Sequence, residues 1–162
     1  MPLVPLHWNA AANLAQSRRL LIPVKDGKSA VSSVMYAIRL RAEARGVAVC
    51  LLHVEESPTN WQELLGVTRI HSARRSRTNA VFGPVLKLLD GLDIEFAAYV
   101  RSGPVVFTIL DAAEELECDE IVVPAPGSAL SHLLSRHVVT ILTARQRSAR
   151  LVAVTKSGIA VP

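Results

Sequence analysis

From Leu20 onward the chain alternates short apolar runs with stretches whose apolar residues recur at helical spacing. Leu20 to Val24 is the first run, Lys25-Asp26-Gly27 reads as a turn, and Val31, Val34, Met35 and Ile38 then mark one face of a helix. Gly46 is expected to end that helix after Arg45. Val47 to Val54 is apolar almost without interruption, as a parallel strand covered on both faces must be. Strand, turn, helix and strand make a first βαβ unit.

The stretch from Glu55 to Thr78 breaks the rhythm: Ser57-Pro58, a short helical pattern around Trp61 to Leu65, then TRIHSARRSR, together an insertion or mobile connection. Periodicity returns at Val81, Phe82, Val85, Leu86 and Leu89, a second amphipathic helix that contains Pro84 and stops at Gly91. Ile94 to Val100 is a third strand, Gly103-Pro104 opens a third helix through Leu116, and Glu120 to Val123 is a fourth strand. Beyond the loop Pro124 to Leu130, Ser131 caps a fourth helix bearing Leu133, Leu134, Val138, Ile141 and Leu142. Arg150 to Thr155 is the fifth and last strand.

Strands alternating with helices define an α/β fold with a mostly parallel, doubly wound sheet. Ligands in such sheets sit beyond the carboxyl ends of the strands, where strand order reverses. The turns after strands one, two and four are therefore the places for a site: Val24, Lys25 and Asp26 after the first, His53 and Val54 at the end of the second, and the loop holding Gly127 and Ser128 after the fourth.

At 162 residues the chain fits one domain and needs no disulfide to fold. Half its residues are hydrophobic, 20% are charged and mean hydropathy is +0.30, values that exclude a disordered chain. No uninterrupted apolar stretch approaches the ~18 residues of a membrane span, and Pro5, His7 and Asn9 interrupt the N-terminus, so neither a transmembrane segment nor a signal peptide is expected. Cys50 and Cys118 are the two cysteines. Neither has a nearby Cys or His partner of a zinc knuckle, and a reducing cytoplasm is the natural compartment. Aromatics at 4% argue against a nucleic-acid platform of stacked rings, and a net charge of +4 favours anionic partners only weakly.

Candidate chemistry is sparse. Gly27-Lys28-Ser29 between strand and helix resembles the end of a P-loop, but the motif needs glycine where Ile22 stands inside the strand, so an ordinary βα turn is expected. His132 and His137 lie roughly 140° apart around a helix and form no metal pair; no signal unites a serine, a histidine and a carboxylate. Arg69, Arg74, Arg75 and Arg77 stand without an acid among them, an exposed surface for an acidic partner or anionic ligand.

The order of elements resembles the universal stress protein family over roughly residues 20–155. LLIPVKDGKSAVSSVMYAIRLRAEARGVAVCLLHVEE resembles the family's opening strand, helix and second strand. RSGPVVFTILDAAEELECDEIVVPAPG resembles its third helix and fourth strand, with an acidic residue before the hydrophobic run. LSHLLSRHVVTILTARQRSARLVAV resembles the closing helix and strand. The resemblance implies a single Rossmann-like domain over 20–155, flanked by an N-terminal extension (1–19) and a C-terminal tail (156–162). Its sheet is expected to have five strands in the order 3-2-1-4-5, with a homodimer formed through the last strand. Some family members bind ATP or AMP through an Asp after the first strand and a G-x2-G-x9-G-[ST] pattern after the fourth. Here Lys25 stands in place of that Asp, with Asp26 one residue on; Pro124 takes the first Gly position, Gly127 the second, and Arg136-His137 the terminal Gly-[ST], allowing one deletion. Pro124 and Pro126 offer no N–H to a phosphate and stiffen the loop, whereas Lys25, Arg136 and His137 add positive charge. The expectation is a cytoplasmic, non-enzymatic regulatory protein of the stress response, acting through contacts with a protein partner and binding no ATP in the standard way. The alternative is an ATP- or AMP-responsive sensor whose site would comprise Val24, Lys25, Asp26, His53, Val54, Gly127, Ser128, Arg136 and His137. A weak nucleotide hydrolase is a third reading, for which the sequence supplies no general base or metal cluster.

Overall fold

The structure is a computed structural model describing residues 7–9, 17–43, 45–55, 79–125, 141, 142, 144 and 148–162. Leu20, Leu21 and Ile22 are fully buried because strand β2 (Arg18–Pro23) runs between two parallel neighbours with helices over both of its faces. On one side lies β3 (Val47–Glu55), buried from Val47 to Leu52; on the other lies β5 (Glu120–Pro124). β4 (Glu95–Ser102) continues the parallel sheet beyond β3, and β6 (Arg150–Val154) continues it beyond β5. These five strands take the order 3-2-1-4-5 that the resemblance implies.

Among the described residues each flanking segment adds one short strand to these five, making seven. β1 (His7–Asn9) pairs antiparallel with Phe96–Ala98 of β4, and β7 (Ala160–Val161) pairs antiparallel with Ala153 and Val154 of β6. The last parallel strand is therefore not a bare edge. Thr155, expected in it, instead opens the β6–β7 turn: its N–H donates to the Ile159 carbonyl at 2.8 Å, and Gly158 N–H returns to the Thr155 carbonyl at 2.9 Å. Gly158 is required there, having φ +71 and standing where an added Cβ would lie 2.5 Å from the backbone nitrogen of Tyr36.

Alternation along the strands divides the core in two. Leu20, Ile22, Val49, Leu51, Ala98, Val122 and Val154 face helices α1 (Val31–Ala42) and α2 (helical over 79–89), which contribute Val34, Ala37, Leu40, Phe82, Val85 and Leu89. Leu21, Cys50, Leu52, Ala97, Tyr99, Ile121 and Val123 face α3 (Val105–Glu115), with Ile109, Leu110, Ala112 and Ala113, and meet Leu142 of the helical pair 141–142. Gly91 stops α2 as expected, at φ +74. Gly46 does not stop α1: that helix ends at Ala42 with Glu43 as its C-cap, and the Gly46 carbonyl instead accepts the Arg18 N–H where β2 begins. Trp61 to Leu65, the arginines of 69–77 and the helix from Ser131 to Thr140 lie outside the described residues.

Candidate functional site

Strand order reverses at β2, whose chain neighbour β3 lies on one side and whose spatial neighbour β5 lies on the other, so the carboxyl end of β2 opens onto the switch point. The N–H of Val24 extends the β2–β3 ladder by donating to the Leu52 carbonyl at 2.8 Å. The carbonyl of Val24 meets Nδ1 of His53 at 2.7 Å. A carbonyl only accepts, so Nδ1 carries the proton and Nε2 of the neutral ring is left as an acceptor. The half-buried imidazole is held edge-on to Phe82 of α2, ring centres 6.3 Å apart at 85°.

The turn after Val24 closes on itself. One carboxylate oxygen of Asp26 accepts the N–H groups of Lys28 and Ser29, each at 2.9 Å, while the Ser29 hydroxyl donates to the Asp26 carbonyl at 2.7 Å and accepts the Asp26 N–H at 3.2 Å. α1 has no side-chain bond at its N-cap, Ala30, because this Asx turn just before it already supplies a carboxylate to the free amides. A P-loop offers such amides to phosphate; here the chain's own anion occupies them, in keeping with the βα turn expected from the spacing. Gly27 is buried, and a Cβ on it would come within 2.5 Å of the Pro84 ring, so its lack of a side chain lets the turn press against α2. Lys25 is exposed.

Of the residues expected at the site, Val24, Lys25, Asp26 and His53 are brought together at this end of the sheet. Val54 turns to the opposite face and packs with the α3 cluster. Pro124 ends β5 buried, and Ala125 N–H donates to the Val154 carbonyl at 2.8 Å; Gly127, Ser128, Arg136 and His137 lie outside the described residues. Among the described residues no group of three or more His, Cys, Asp or Glu could hold a metal ion, and no helix is long and apolar enough to cross a membrane.

At the opposite end of the sheet stands a polar cluster that reading the sequence missed. Glu120 is only 3% exposed, yet one of its carboxylate oxygens accepts Arg150 at 2.8 Å and Arg18 at 3.1 Å, and the other accepts the Tyr36 hydroxyl at 3.1 Å. Burial, the Glu120 charge and the hydrogen bond to it all push the Tyr36 phenol up, against the lowering pull of the two guanidiniums. The signal was an acid opening the apolar run Ile121-Val122-Val123; a carboxylate there must find donors.

The family model for the universal stress protein family matches residues 16–146, and the chain belongs to that family. Solved structures share the fold at low identity. The hypothetical protein PH0823 is similar at TM-score 0.58 and 18% identity, with 85% of this chain and 95% of that one covered. The hypothetical protein MJ0577 gives 0.57 and 16%, over 87% and 97%. A universal stress protein family protein from Arabidopsis thaliana with AMP bound gives 0.56 and 12%, over 85% and 91%. No curated protein sequence matches the chain.

Proposed function

We propose that this chain is a regulatory protein of the stress response, cytoplasmic, homodimeric and not an enzyme, that acts through contacts with other proteins and does not hold ATP in the manner of its ATP-binding relatives. The observation that carries the proposal is the closed turn at Asp26. The carboxylate that replaces the family's acid, one position late, is committed to the amides of Lys28 and Ser29. A ligand that needed that carboxylate, or those amides, would first have to break two charge-assisted hydrogen bonds of roughly 1.5–3 kcal/mol each. Pro124 and Pro126 work in the same direction, since neither offers an N–H to phosphate. Calorimetric titration with ATP, with and without magnesium, is expected to give a dissociation constant weaker than micromolar, and heat-denatured protein is expected to release no ultraviolet-absorbing nucleotide. A low-micromolar constant, or nucleotide carried through purification, overturns the proposal.

A nucleotide-responsive sensor is the second reading, favoured by the AMP bound to the Arabidopsis relative and by His53, whose Nε2 is an acceptor at the switch point next to a cationic Lys25. The same titration performed with AMP separates it: saturable micromolar binding that His53→Ala abolishes supports the sensor and removes the first reading.

A further inference from the structure

Cys50 and Cys118 come from distant parts of the chain and lie in one apolar cluster beneath α3. Cys50 sits in mid-β3, in register with Leu21 on one side and Ala97 on the other, and its side chain lies on the α3 face. Cys118 follows the turn that ends α3: Glu117 takes a left-handed φ of 51°, the Cys118 N–H returns to the Ala113 carbonyl at 2.8 Å, and Asp119 N–H donates to the Arg19 carbonyl at 2.8 Å, which pins the turn to β2. Both thiols are free and buried in the same apolar cluster.

Beside Cys50 is a cavity of about 110 Å³ whose wall includes Arg19, Glu95, Tyr99 and Leu116. The Arg19 guanidinium is fixed by donating to the Leu116 carbonyl at 2.6 Å. A cavity of that size admits water-sized molecules.

We infer that Cys50 is a site of oxidation by a small hydroperoxide, with Cys118 as the thiol that resolves it to an intrachain disulfide. The proton distribution suits these roles. Donation from Cys118 holds the Cys50 thiol below its ordinary range, against burial, with Arg19 pulling the same way; the Cys118 thiol is pushed up because it keeps the shared proton and is buried. Glu95 opposes ionisation of Cys50 and Asp119 that of Cys118, but neither reverses the ordering of the pair.

The chemistry closes in two steps. The Cys50 sulfur attacks one peroxide oxygen, an S–O bond forms, the O–O bond breaks, and the departing oxygen leaves as water after taking the Cys50 proton. Sulfur is oxidised by two electrons and peroxide is reduced by two. The Cys118 sulfur then attacks the Cys50 sulfenic acid, forming S–S and releasing the hydroxyl with the Cys118 proton as a second water.

The test is exposure of the intact protein to hydrogen peroxide, with thiols counted after unfolding and the mass of the chain measured. The wild type is expected to lose both thiols together, to lose about 2 Da, and to remain monomeric on a non-reducing gel. Cys118→Ala is expected to accumulate a sulfenic acid on Cys50, trapped by dimedone, and Cys50→Ala to react at least about tenfold more slowly than wild type. Glutathione disulfide, a far bulkier oxidant, is expected to leave both buried thiols free. Retention of both thiols by folded wild type under peroxide that oxidises free cysteine overturns the inference, and that measurement needs no variant to fold. Cys50→Ala reacting at the wild-type rate, or a disulfide formed between chains, overturns it equally.

Discussion

Glu120 and the two tyrosines show how single side chains tie this fold to pH. Both tyrosines of the chain are buried, and both hold their protons more tightly than a free phenol does. Burial raises each of them first; Glu120 then adds to Tyr36, while the thiols of Cys50 and Cys118 add to Tyr99, pushed up to about 12. As the unfolded chain releases these protons near the ordinary value of 10 and the folded chain releases them higher, the stabilisation is complete below pH 10 and declines as pH rises toward about 12. Absorbance at 295 nm is expected to show folded protein ionising above the midpoint of protein unfolded in urea. In Glu120→Gln the Tyr36 component moves down, since the carboxylate charge that opposed the phenolate is gone. Folded and unfolded chains titrating together would remove this account. The cluster itself was illegible in the sequence because the donors to Glu120 stand 102, 84 and 30 residues away, and only the topology brings Arg18, Tyr36 and Arg150 to one carboxylate.

At the scale of elements, the central strands declared themselves and the edge strands did not. Leu20-Leu21-Ile22 and Val47 to Leu52 are apolar at every position because helices cover both faces, and that continuity is visible in one dimension. β1 and β7 have three and two residues, too few to display any period, and they are strands only because a longer strand beside them offers unpaired backbone. Half of the candidate site was legible on the same grounds: Val24 directly follows β2 and His53 lies near the end of the neighbouring β3, so parallel pairing had to bring them together. The closure of Asp26 onto Lys28 and Ser29 was not legible, because it depends on the turn's dihedral angles. Packing of that turn on α2 makes a quantitative prediction. Gly27→Ala is expected to cost about 1–3 kcal/mol, since its Cβ would lie 2.5, 2.8 and 2.9 Å from Cγ, Cδ and Cβ of Pro84. With Pro84→Ala in the background two of those three contacts vanish, and the cost measured by urea unfolding should fall by about half or more. Strictly additive effects of the two substitutions would mean that the turn does not bear on α2.

On the scale of the whole molecule, both sides of the sheet are partly closed. β1 covers Phe96–Ala98 of β4, and β7 covers Ala153 and Val154 of β6. Among the described residues, the outward-facing backbone of Leu151 is left without a ladder partner. The apolar side chains of Ile159 and Val161 stand beside it, 50% and 42% exposed. Unpaired backbone next to exposed apolar side chains is what a second strand seeks, and another copy of this chain presents the same edge in the complementary direction. The homodimer proposed above is therefore expected to form at the β6–β7 side, with β7 as part of the contact rather than an obstacle to it. Sedimentation at tens of micromolar should give twice the 17.5 kDa chain mass. Ile159→Lys combined with Val161→Lys should shift the population to monomer, because two ammonium groups would face their own symmetry mates, while each chain stays folded because both positions are exposed. A wild type that sediments as a monomer would end the proposal, and a double variant that remains dimeric would move the interface to another part of the surface.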